Sequence, residues 1–312
     1  MKINILVTGC GGDIGQSVGK ILNELSFVRN LYGCDISDKN AAKFIYSNFF
    51  LGLKCSDENY IKNLENIIKE KNIDIVIPIS EPELRFFSKK NIYEIGNAKM
   101  IMASPEALKI GFDKLETADF LKNKNLPFPI THDINLVDNI EDFPVILKSR
   151  TGSGSSNVSL VKNNESFQNI KKNNSDYIVQ EYLEGDNGEF TCGVFKSSDG
   201  IIRTIIFKRE LMGGFTGYGE VIENKEITYI LTAIAEKLNL IGSINVQLRL
   251  TQKGPVVFEI NPRFSSTVRF RDLFGFADVK WSIEDKMRFP LSDYADTSAG
   301  KKLYKGFNEY IQ

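Results

Sequence analysis

The stretch that decides the fold is SINVQLRLTQKGPVVFEINPRFSSTVRF, residues 243–270. Two apolar runs flank a Gln-Lys-Gly turn, which predicts a β-hairpin. Side chains two residues apart lie on the same face of a strand, so Glu259 and Asn261 share a face and Arg263 reaches it again. Together with Gln247 on the preceding strand, these oxygen ligands predict a Mg²⁺ site beside a nucleotide triphosphate. A single buried Glu–Arg pair that stabilises the hairpin is the structural alternative.

A second informative stretch is FPVILKSRTGSGSSNV, residues 143–158. It predicts a buried strand that ends at Lys148, followed by a flexible loop. Backbone N–H groups and hydroxyls of such a loop can surround phosphate oxygens, while the lysine supplies a positive charge. The loop residues concerned are Gly152, Ser153, Gly154, Ser155 and Ser156. No GK[ST] follows the glycines, so this is not a Walker loop, and a polar hairpin turn is the alternative.

These two stretches, together with three further segments along the chain, resemble the ATP-grasp family. Within that family they resemble carbamoyl phosphate synthetase large subunits and stand-alone carboxylate–amine ligases. The resemblance covers essentially the whole chain. It rests on Asp113-Lys114 at a helix start, NLPFP at 125–129, the strand and loop at 143–158, IVQEYL at 178–183 and E-x-N-P-R at 259–263.

The resemblance implies ATP and Mg²⁺ or Mn²⁺ as cofactors. It implies that Gln247, Glu259 and Asn261 bind the metal and that Arg263 holds the transferring phosphate. The residues implied to bind nucleotide are Lys114, Lys148, the loop 152–156, Gln180, Glu181, Tyr182 and Leu183 around adenine, and Glu189 at the ribose. Asp186 competes with Glu189 for the ribose.

Three residues are the catalytic candidates of the sequence: Arg263, Arg209 and Asn261. Arg209 precedes a glycine-rich segment at 213–219 and is a candidate ligand for phosphate or for a substrate carboxylate. An exposed charge pair at a strand end is the alternative for Arg209. Arg269 and Arg271 are expected either near the acceptor substrate or on the surface.

The predicted fold class is α/β, with α+β character in the later lobes. Strand and helix alternate through the first third, which predicts a Rossmann-like parallel-sheet domain at 1–112. A two-lobed ATP-grasp fold is expected to follow, with a small lid subdomain at 113–183. A C-terminal subdomain at 184–312 would carry the metal and substrate site.

The glycines of ILVTGCGGDIGQSV, residues 5–18, taken alone resemble the start of a short-chain dehydrogenase. Gly9, Gly12 and Gly15 separate a strand from a helix, and Asp35 ends the next strand, which is a dinucleotide-binding signal. Such an enzyme needs a tyrosine with a lysine four residues later, and none of the eleven tyrosines has one. A degenerate Rossmann-like domain is therefore the preferred interpretation, with an NAD(P)-dependent oxidoreductase as the alternative.

The implied activity is that of an ADP-forming ligase, which activates a small carboxylic acid as an acyl phosphate for attack by an amine. A thiol nucleophile, a carbamate as the activated acid, and ATP binding without catalysis are the alternatives. A single histidine, His132, argues against Ser-His-Asp catalysis and multi-histidine metal sites. The substrates themselves are beyond what the sequence specifies.

The composition predicts the surroundings of the protein. Thirty-nine basic and 40 acidic residues give a net charge of −1, which argues against nucleic acid or membrane partners and leaves a homodimer open. No signal peptide, no membrane-length apolar run and no paired-cysteine motif are present, so we expect a cytoplasmic protein with reduced thiols.

Overall fold

The computed structural model describes residues 2–152, 158–184, 187–295 and 297–311. Within these ranges the strands form three sheets, of six, four and six strands. The first sheet is almost entirely parallel and the other two are antiparallel, so the prediction of an α/β fold with antiparallel later lobes is confirmed.

The front sheet has the strand order β3-β2-β1-β4-β6-β5, and β5 is its antiparallel edge. Its elements are β1 (Ile3–Thr8), α1 (Asp13–Asn23), β2 (Val28–Asp35), β3 (Asn48–Leu51), α2 (Tyr60–Lys71), β4 (Ile75–Pro78), α3 (Glu81–Lys90), β5 (Glu94–Ile95) and β6 (Ala98–Met100). The central strands β1 and β4 are buried along their whole length and mostly apolar, because helices cover both faces of the sheet. The chain order reverses direction between β1 and β4, so their carboxyl ends border a crevice.

The second sheet has the order β7-β10-β8-β9. Its segment contains α4 (Pro105–Gly111), α5 (Lys114–Asn123), β7 (Thr131–Asp133), β8 (Val145–Ser149), β9 (Val158–Val161), α6 (Asn164–Lys171) and β10 (Tyr177–Glu181). The short helices α4 and α6 were not predicted from the sequence. The first begins with Pro at its first position, and the second begins after an Asn cap.

The third sheet has the order β15-β14-β11-β12-β13-β16. Its segment contains β11 (Glu189–Lys196), β12 (Ile202–Met212), β13 (Phe215–Val221), α7 (Lys225–Lys237), β14 (Gly242–Thr251), β15 (Gly254–Asn261), α8 (Val268–Leu273), α9 (Asp278–Met287) and β16 (Lys302–Tyr304). The glycine-rich segment expected at 213–219 is a hairpin turn at Gly213 and Gly214 followed by β13, because both glycines have positive φ angles of 59° and 88°.

Two packing clusters join parts of the chain that the sequence assigns to different domains. Apolar side chains of α4 and α5 pack with those of α7, β14 and β15 in one core. Residues of α8 and α9 pack instead against the front sheet, beside β1 and β4. The three domain ranges stay predictions. None of the helices in the described ranges is long and apolar enough to cross a bilayer.

Candidate active site

A cavity of about 1080 Å³ lies where the three sheets meet. The third sheet contributes alternate residues of neighbouring strands, the second sheet contributes β8 and β10, and the front sheet contributes the loops after β1, β2 and β4. The lining residues that the sequence predicted are Lys114, Lys148, Gly152, Gln180, Glu181, Tyr182, Leu183, Glu189, Arg209, Gln247, Glu259, Asn261 and Arg263. Ser153, Gly154, Ser155, Ser156 and Asp186 lie outside the described residues.

The predicted hairpin is present as β14 and β15, and its register brings the metal candidates together. Gln247 lies opposite Glu259, and Asn261 lies opposite Asn245. A register shift after Gln247 leaves Phe258 without an opposing residue, which is the arrangement of a β-bulge. The three predicted oxygen donors therefore line one wall of the cavity.

The donor set fits a Mg²⁺ or Mn²⁺ ion that also takes oxygens from phosphate or water. One carboxylate (Glu259) and two amides (Gln247 and Asn261) are too few to complete six oxygen ligands alone. In keeping with this, no group of three His, Cys, Asp or Glu side chains forms a metal site anywhere in the described ranges.

Lys148 on β8 is a buried cation, 6% exposed. Its Nζ lies 3.5 Å from the carbonyl oxygen of Phe258, the bulged residue, and 5.5 Å from the centroid of the Phe258 ring. Burial lowers the pKa of Lys148 to about 8, and Glu259 partly offsets this effect. An anionic ligand in the cavity would stabilise the protonated, charged form of Lys148.

Lys114 lies at the amino terminus of α5, where the Asp113 side chain caps the helix by accepting from the backbone N–H of Leu115 at 2.9 Å. The Nζ of Lys114 donates to the carbonyl oxygen of Gly152 at 2.5 Å. The helix start therefore aims Lys114 at the beginning of the predicted phosphate loop.

Arg209 is not part of an exposed charge pair at a strand end. It lies within β12, its side chain is 9% exposed, and its Nη2 donates to Glu189 Oε1 at 2.7 Å and to Gln247 Oε1 at 2.8 Å. Arg249, two residues beyond Gln247, donates from its Nη2 to Glu189 Oε2 at 3.1 Å. Both oxygens of Glu189 thus accept from arginines, and the cluster links the predicted ribose and metal ligands.

Arg263 follows the hairpin and differs from Arg209 and Arg249 in its hydrogen-bond partners. It donates from Nη1 to the carbonyl oxygen of Phe264 at 3.1 Å, and no ion pair with it is formed by the residues that the structure describes. Burial lowers its pKa, with Glu81 and Glu259 acting in the opposite direction. A cation in this state is suited to an anionic ligand.

The segment after β10 borders the same cavity. Gln180 donates from Nε2 to Thr131 Oγ1 at 2.9 Å, and the Glu181 carboxylate accepts from the backbone N–H of Ile130 at 3.0 Å. The carbonyl oxygen of Leu183 accepts from Arg249 Nη1 at 2.7 Å. This segment is therefore anchored on both sides.

The amino-terminal glycine loop is closed by its own aspartate. Asp35 Oδ2 accepts from the backbone N–H of Gly11 at 2.7 Å, and Oδ1 accepts from Ser37. A Cβ on Gly15 would lie 2.5 Å from Cys10 Cα, so that glycine is required for helix packing. Asp35 thus already stabilises the loop in which the dinucleotide-binding pattern occurs.

Arg271 is neither near the surface nor free. It is fully buried in an ion pair with Asp278 at 3.3 Å, and it also donates to Asn245. Asn245 accepts in addition from Thr191 at 2.8 Å and lines the cavity, so Arg271 supports the sheet beneath the metal candidates. Arg269 lies instead in an ion pair with Glu24, the residue that follows α1, at 2.5 Å.

Several residues of the site were missed from the sequence. They are Tyr60, Ser80, Glu83, Thr191, Asn245 and Arg249, all of which line the cavity. Asn245 and Arg249 lie two residues before and two residues after Gln247 on β14. They are therefore on the same face of the strand, and the alternation of side chains could have predicted them.

Comparisons with known proteins identify the family of the chain. Residues 112–267, half of the chain, match the family model of the ATP-grasp domain. The chain is 24% identical over 224 residues to the tyramine–L-glutamate ligase of Methanocaldococcus jannaschii, covering 69% of this chain and 64% of the ligase. It is 26% identical over 233 residues to the carbamoyl phosphate synthase large chain of Thermoplasma acidophilum, covering 66% of this chain and 22% of that one. It therefore spans less than two thirds of the length of these relatives.

Among solved structures, N5-carboxyaminoimidazole synthetase from Staphylococcus aureus complexed with ADP superposes with a TM-score of 0.75. The alignment has 17% identity and covers 94% of this chain and 80% of the other. The structural likeness confirms the fold, and the family match confirms the resemblance found in the sequence: this chain belongs to the ATP-grasp family.

Proposed function

We propose that this protein is an ATP-dependent carboxylate–amine ligase that forms an acyl phosphate, releases ADP and passes the acyl group to an amine. The observation that carries the proposal is a single cavity with oxygen donors from Gln247, Glu259 and Asn261 on one wall and the cations Lys148 and Arg263 beside them. The named ligase among the relatives supports it.

The role of the cations follows from their surroundings. Lys148 and Lys114 hold nucleotide phosphates, because one is a buried cation and the other points at the start of the phosphate loop. Mg²⁺ or Mn²⁺, when bound by Gln247, Glu259 and Asn261, supplies further neutralisation of phosphate charge.

Transfer of the γ-phosphoryl group needs positioning and charge stabilisation rather than covalent participation of the protein. Arg263 is the catalytic candidate for this task, because it is buried and has no carboxylate partner in the described ranges. Arg209 acts as a positioning residue, since its hydrogen bonds orient Glu189 and the Gln247 amide. The backbone of Gln180, Glu181, Tyr182 and Leu183 holds the adenine, and Glu189 holds the ribose.

The test uses the purified chain with ATP, Mg²⁺ and pools of carboxylic acids and amines, with ADP followed by chromatography and products by mass spectrometry. ADP that requires one acid and one amine, and that is lost in Glu259→Gln, supports the proposal. Glu236→Gln is the matched control, since this exposed carboxylate of α7 does not line the cavity. ADP formed with the acid alone would support the acyl phosphate and leave the acceptor to be found.

Two outcomes contradict the proposal. One is nucleotide binding with no turnover for any acid–amine pair, which favours an ATP-binding protein without ligase activity. The other is binding of NAD(P)H in place of ATP, which favours the oxidoreductase alternative.

A further inference from the structure

Charge is divided between the two ends of the cavity. The walls formed by the second and third sheets carry five cations, Lys114, Lys148, Arg209, Arg249 and Arg263, against the three carboxylates Glu181, Glu189 and Glu259. The wall at the carboxyl edge of the front sheet instead carries four carboxylates, Asp13, Asp35, Glu81 and Glu83, against one cation, Lys54. The cationic end suits a nucleotide and an acid, whereas the front-sheet end suits a ligand of the opposite charge.

Glu83 is the distinctive residue of the acidic end. It is 7% exposed, its Oε1 accepts from the Tyr60 hydroxyl at 2.6 Å, and its Oε2 accepts from the Ser80 hydroxyl at 2.6 Å. Both donors are neutral. Burial raises the pKa of Tyr60, and the nearby Glu83 carboxylate raises it further, so the phenol stays protonated as a donor.

A buried carboxylate is normally paired with a cation. Glu81 has such a partner in Arg85 at 2.6 Å, whereas Glu83 forms no ion pair within the described part of the chain. The two hydroxyls fix its position and leave its charge uncompensated. Each carboxylate oxygen also keeps acceptor capacity for a further donor.

A second, independent feature lies on the adjacent strand. Thr8, at the end of β1, is 1% exposed and lines the cavity, and its hydroxyl has no hydrogen-bond partner among the described residues. Buried polar groups without a partner are uncommon in folded proteins. Gly9, the next residue, packs so closely that a Cβ there would lie 3.0 Å from Glu83 Oε2. Thr8 and Glu83 thus border the same small region.

Apolar side chains contribute part of this region, beside the polar residues Lys54, Ser56 and Asn63. Leu64 lies one helical turn after Tyr60 on α2, and Leu53 and Cys55 border the cavity nearby. Cys55 and Glu83 line the same cavity. A positive group attached to a carbon chain matches these surroundings.

We propose that Glu83 binds the ammonium group of the amine that this ligase joins to its activated acid. Tyr60 and Ser80 hold the carboxylate in place, and the Thr8 hydroxyl accepts a second N–H of the ammonium. Leu64 and its neighbours contact the carbon chain. The assignment rests on the proposed ligase function and names the acceptor as a primary amine that enters the site in its charged form. Before attack the ammonium passes one proton to the Glu83 carboxylate; the C–N bond then forms as the acyl C–O bond breaks, and the second proton leaves with the departing phosphate.

The position of the subsite suits an acceptor. Glu83 and Arg263 line the same cavity. The proposed ammonium site and the cation assigned to phosphoryl transfer therefore share one enclosed space, in which the amine can meet the acyl phosphate.

The test measures binding in the full-length protein without turnover. The probes are n-butylammonium chloride and its neutral counterpart n-butanol, titrated at neutral pH by ligand-observed NMR. We expect saturable binding of butylammonium, at least about tenfold weaker in Glu83→Gln. Glu236→Gln, the same change on an exposed helix face, is expected to bind as the wild type does.

A second measurement needs no variant. Cys55 is half-buried and lines the cavity, whereas Cys10, Cys34 and Cys192 are buried. Alkylation of Cys55 in the wild type should be slowed by butylammonium in a saturable way and not by butanol. This result locates the probe even where Glu83→Gln fails to fold.

Equal butylammonium binding by wild type and a folded Glu83→Gln variant overturns the proposal, as does equal protection of Cys55 by butanol or no protection at all. Failure of the ligase function is distinguishable from these results. In that case butylammonium still binds and depends on Glu83, while no acid–amine pair yields ADP.

Discussion

Replacing Lys148 with methionine should stabilise the ligand-free protein at neutral pH while it weakens nucleotide binding. Burial lowers the pKa of Lys148 from 10.5 to about 8. At about 1.4 kcal/mol per tenfold change in an acidity constant, this drop corresponds to roughly 3 kcal/mol of lost stability while the folded protein holds the charge. Methionine keeps most of the volume and removes the charge, at the cost of the contact with Phe258. The expected net gain is about 1–3 kcal/mol.

The difference in stability between the wild type and Lys148→Met should change with pH in a defined direction. Below about pH 8 the lysine is protonated in both states, so the folded wild type bears the whole penalty. Between about 8 and 10.5 the folded state releases its proton first and wild-type stability rises with pH relative to the variant. Urea denaturation of both proteins across this range should show a stability difference that is largest near neutral pH and shrinks toward pH 10.5.

Nucleotide binding is expected to change in the opposite direction. Loss of a charge-assisted hydrogen bond to phosphate should weaken ATP binding by about tenfold to a hundredfold, measured by calorimetry. Lys114→Met is the control, because Lys114 is only half-buried and should bring the weaker binding without the stability gain. A Lys148→Met protein that is less stable than wild type at neutral pH, or a difference that does not change with pH, would refute the argument from burial.

Three further predictions follow from packing and charge. Asp278→Asn leaves the buried Arg271 without its counter-charge and should lower the free energy of unfolding by about 3–5 kcal/mol in urea; a loss of under about 1 kcal/mol would contradict the pairing. Gly15→Ala places a Cβ 2.5 Å from backbone atoms and should lower the melting temperature markedly, whereas Gly12→Ala, with nothing within 4 Å, should leave it nearly unchanged. Glu189→Gln removes the carboxylate shared by two arginines and should cost about 1–3 kcal/mol of stability and weaken nucleotide binding; unchanged values of both would show that the cluster has neither role.

The hairpin carrying Glu259 and Asn261 could be predicted because the sequence signals for it lie within one short stretch of the chain. Alternation and a turn fix which residues share a face, and the register of β14 and β15 agrees with this. The parallel front sheet was equally accessible, since β1 and β4 are short apolar runs separated by helical patterns.

Other features depend on contacts between distant elements, which periodicity does not encode. Arg271 looks like a surface charge in the sequence, yet Asp278 and Asn245 make it a fully buried one. The hydrogen bond from Tyr60 to Glu83 joins the start of α2 to the start of α3, across 23 residues of the chain. Arg209 lies opposite Glu189 in the hairpin of β11 and β12, so their contact depends on strand register and not on the periodicity of either strand alone.

The same long-range packing explains how the two ends of the cavity stay in a fixed relation. The chain that leaves β15 turns directly onto the front sheet, where Phe264 and Val268 join the apolar core beside β1 and β4. On the other side, a Cβ on Gly111 would lie 2.7 Å from Pro262, so α4 packs tightly against the same turn. Arg263 is thus held between the third sheet and the first turn of α3, which carries Glu83. With the roles proposed for Arg263 and Glu83, this arrangement would place an acid and an amine next to each other before either reacts, and such placement is a large part of what a ligase must supply.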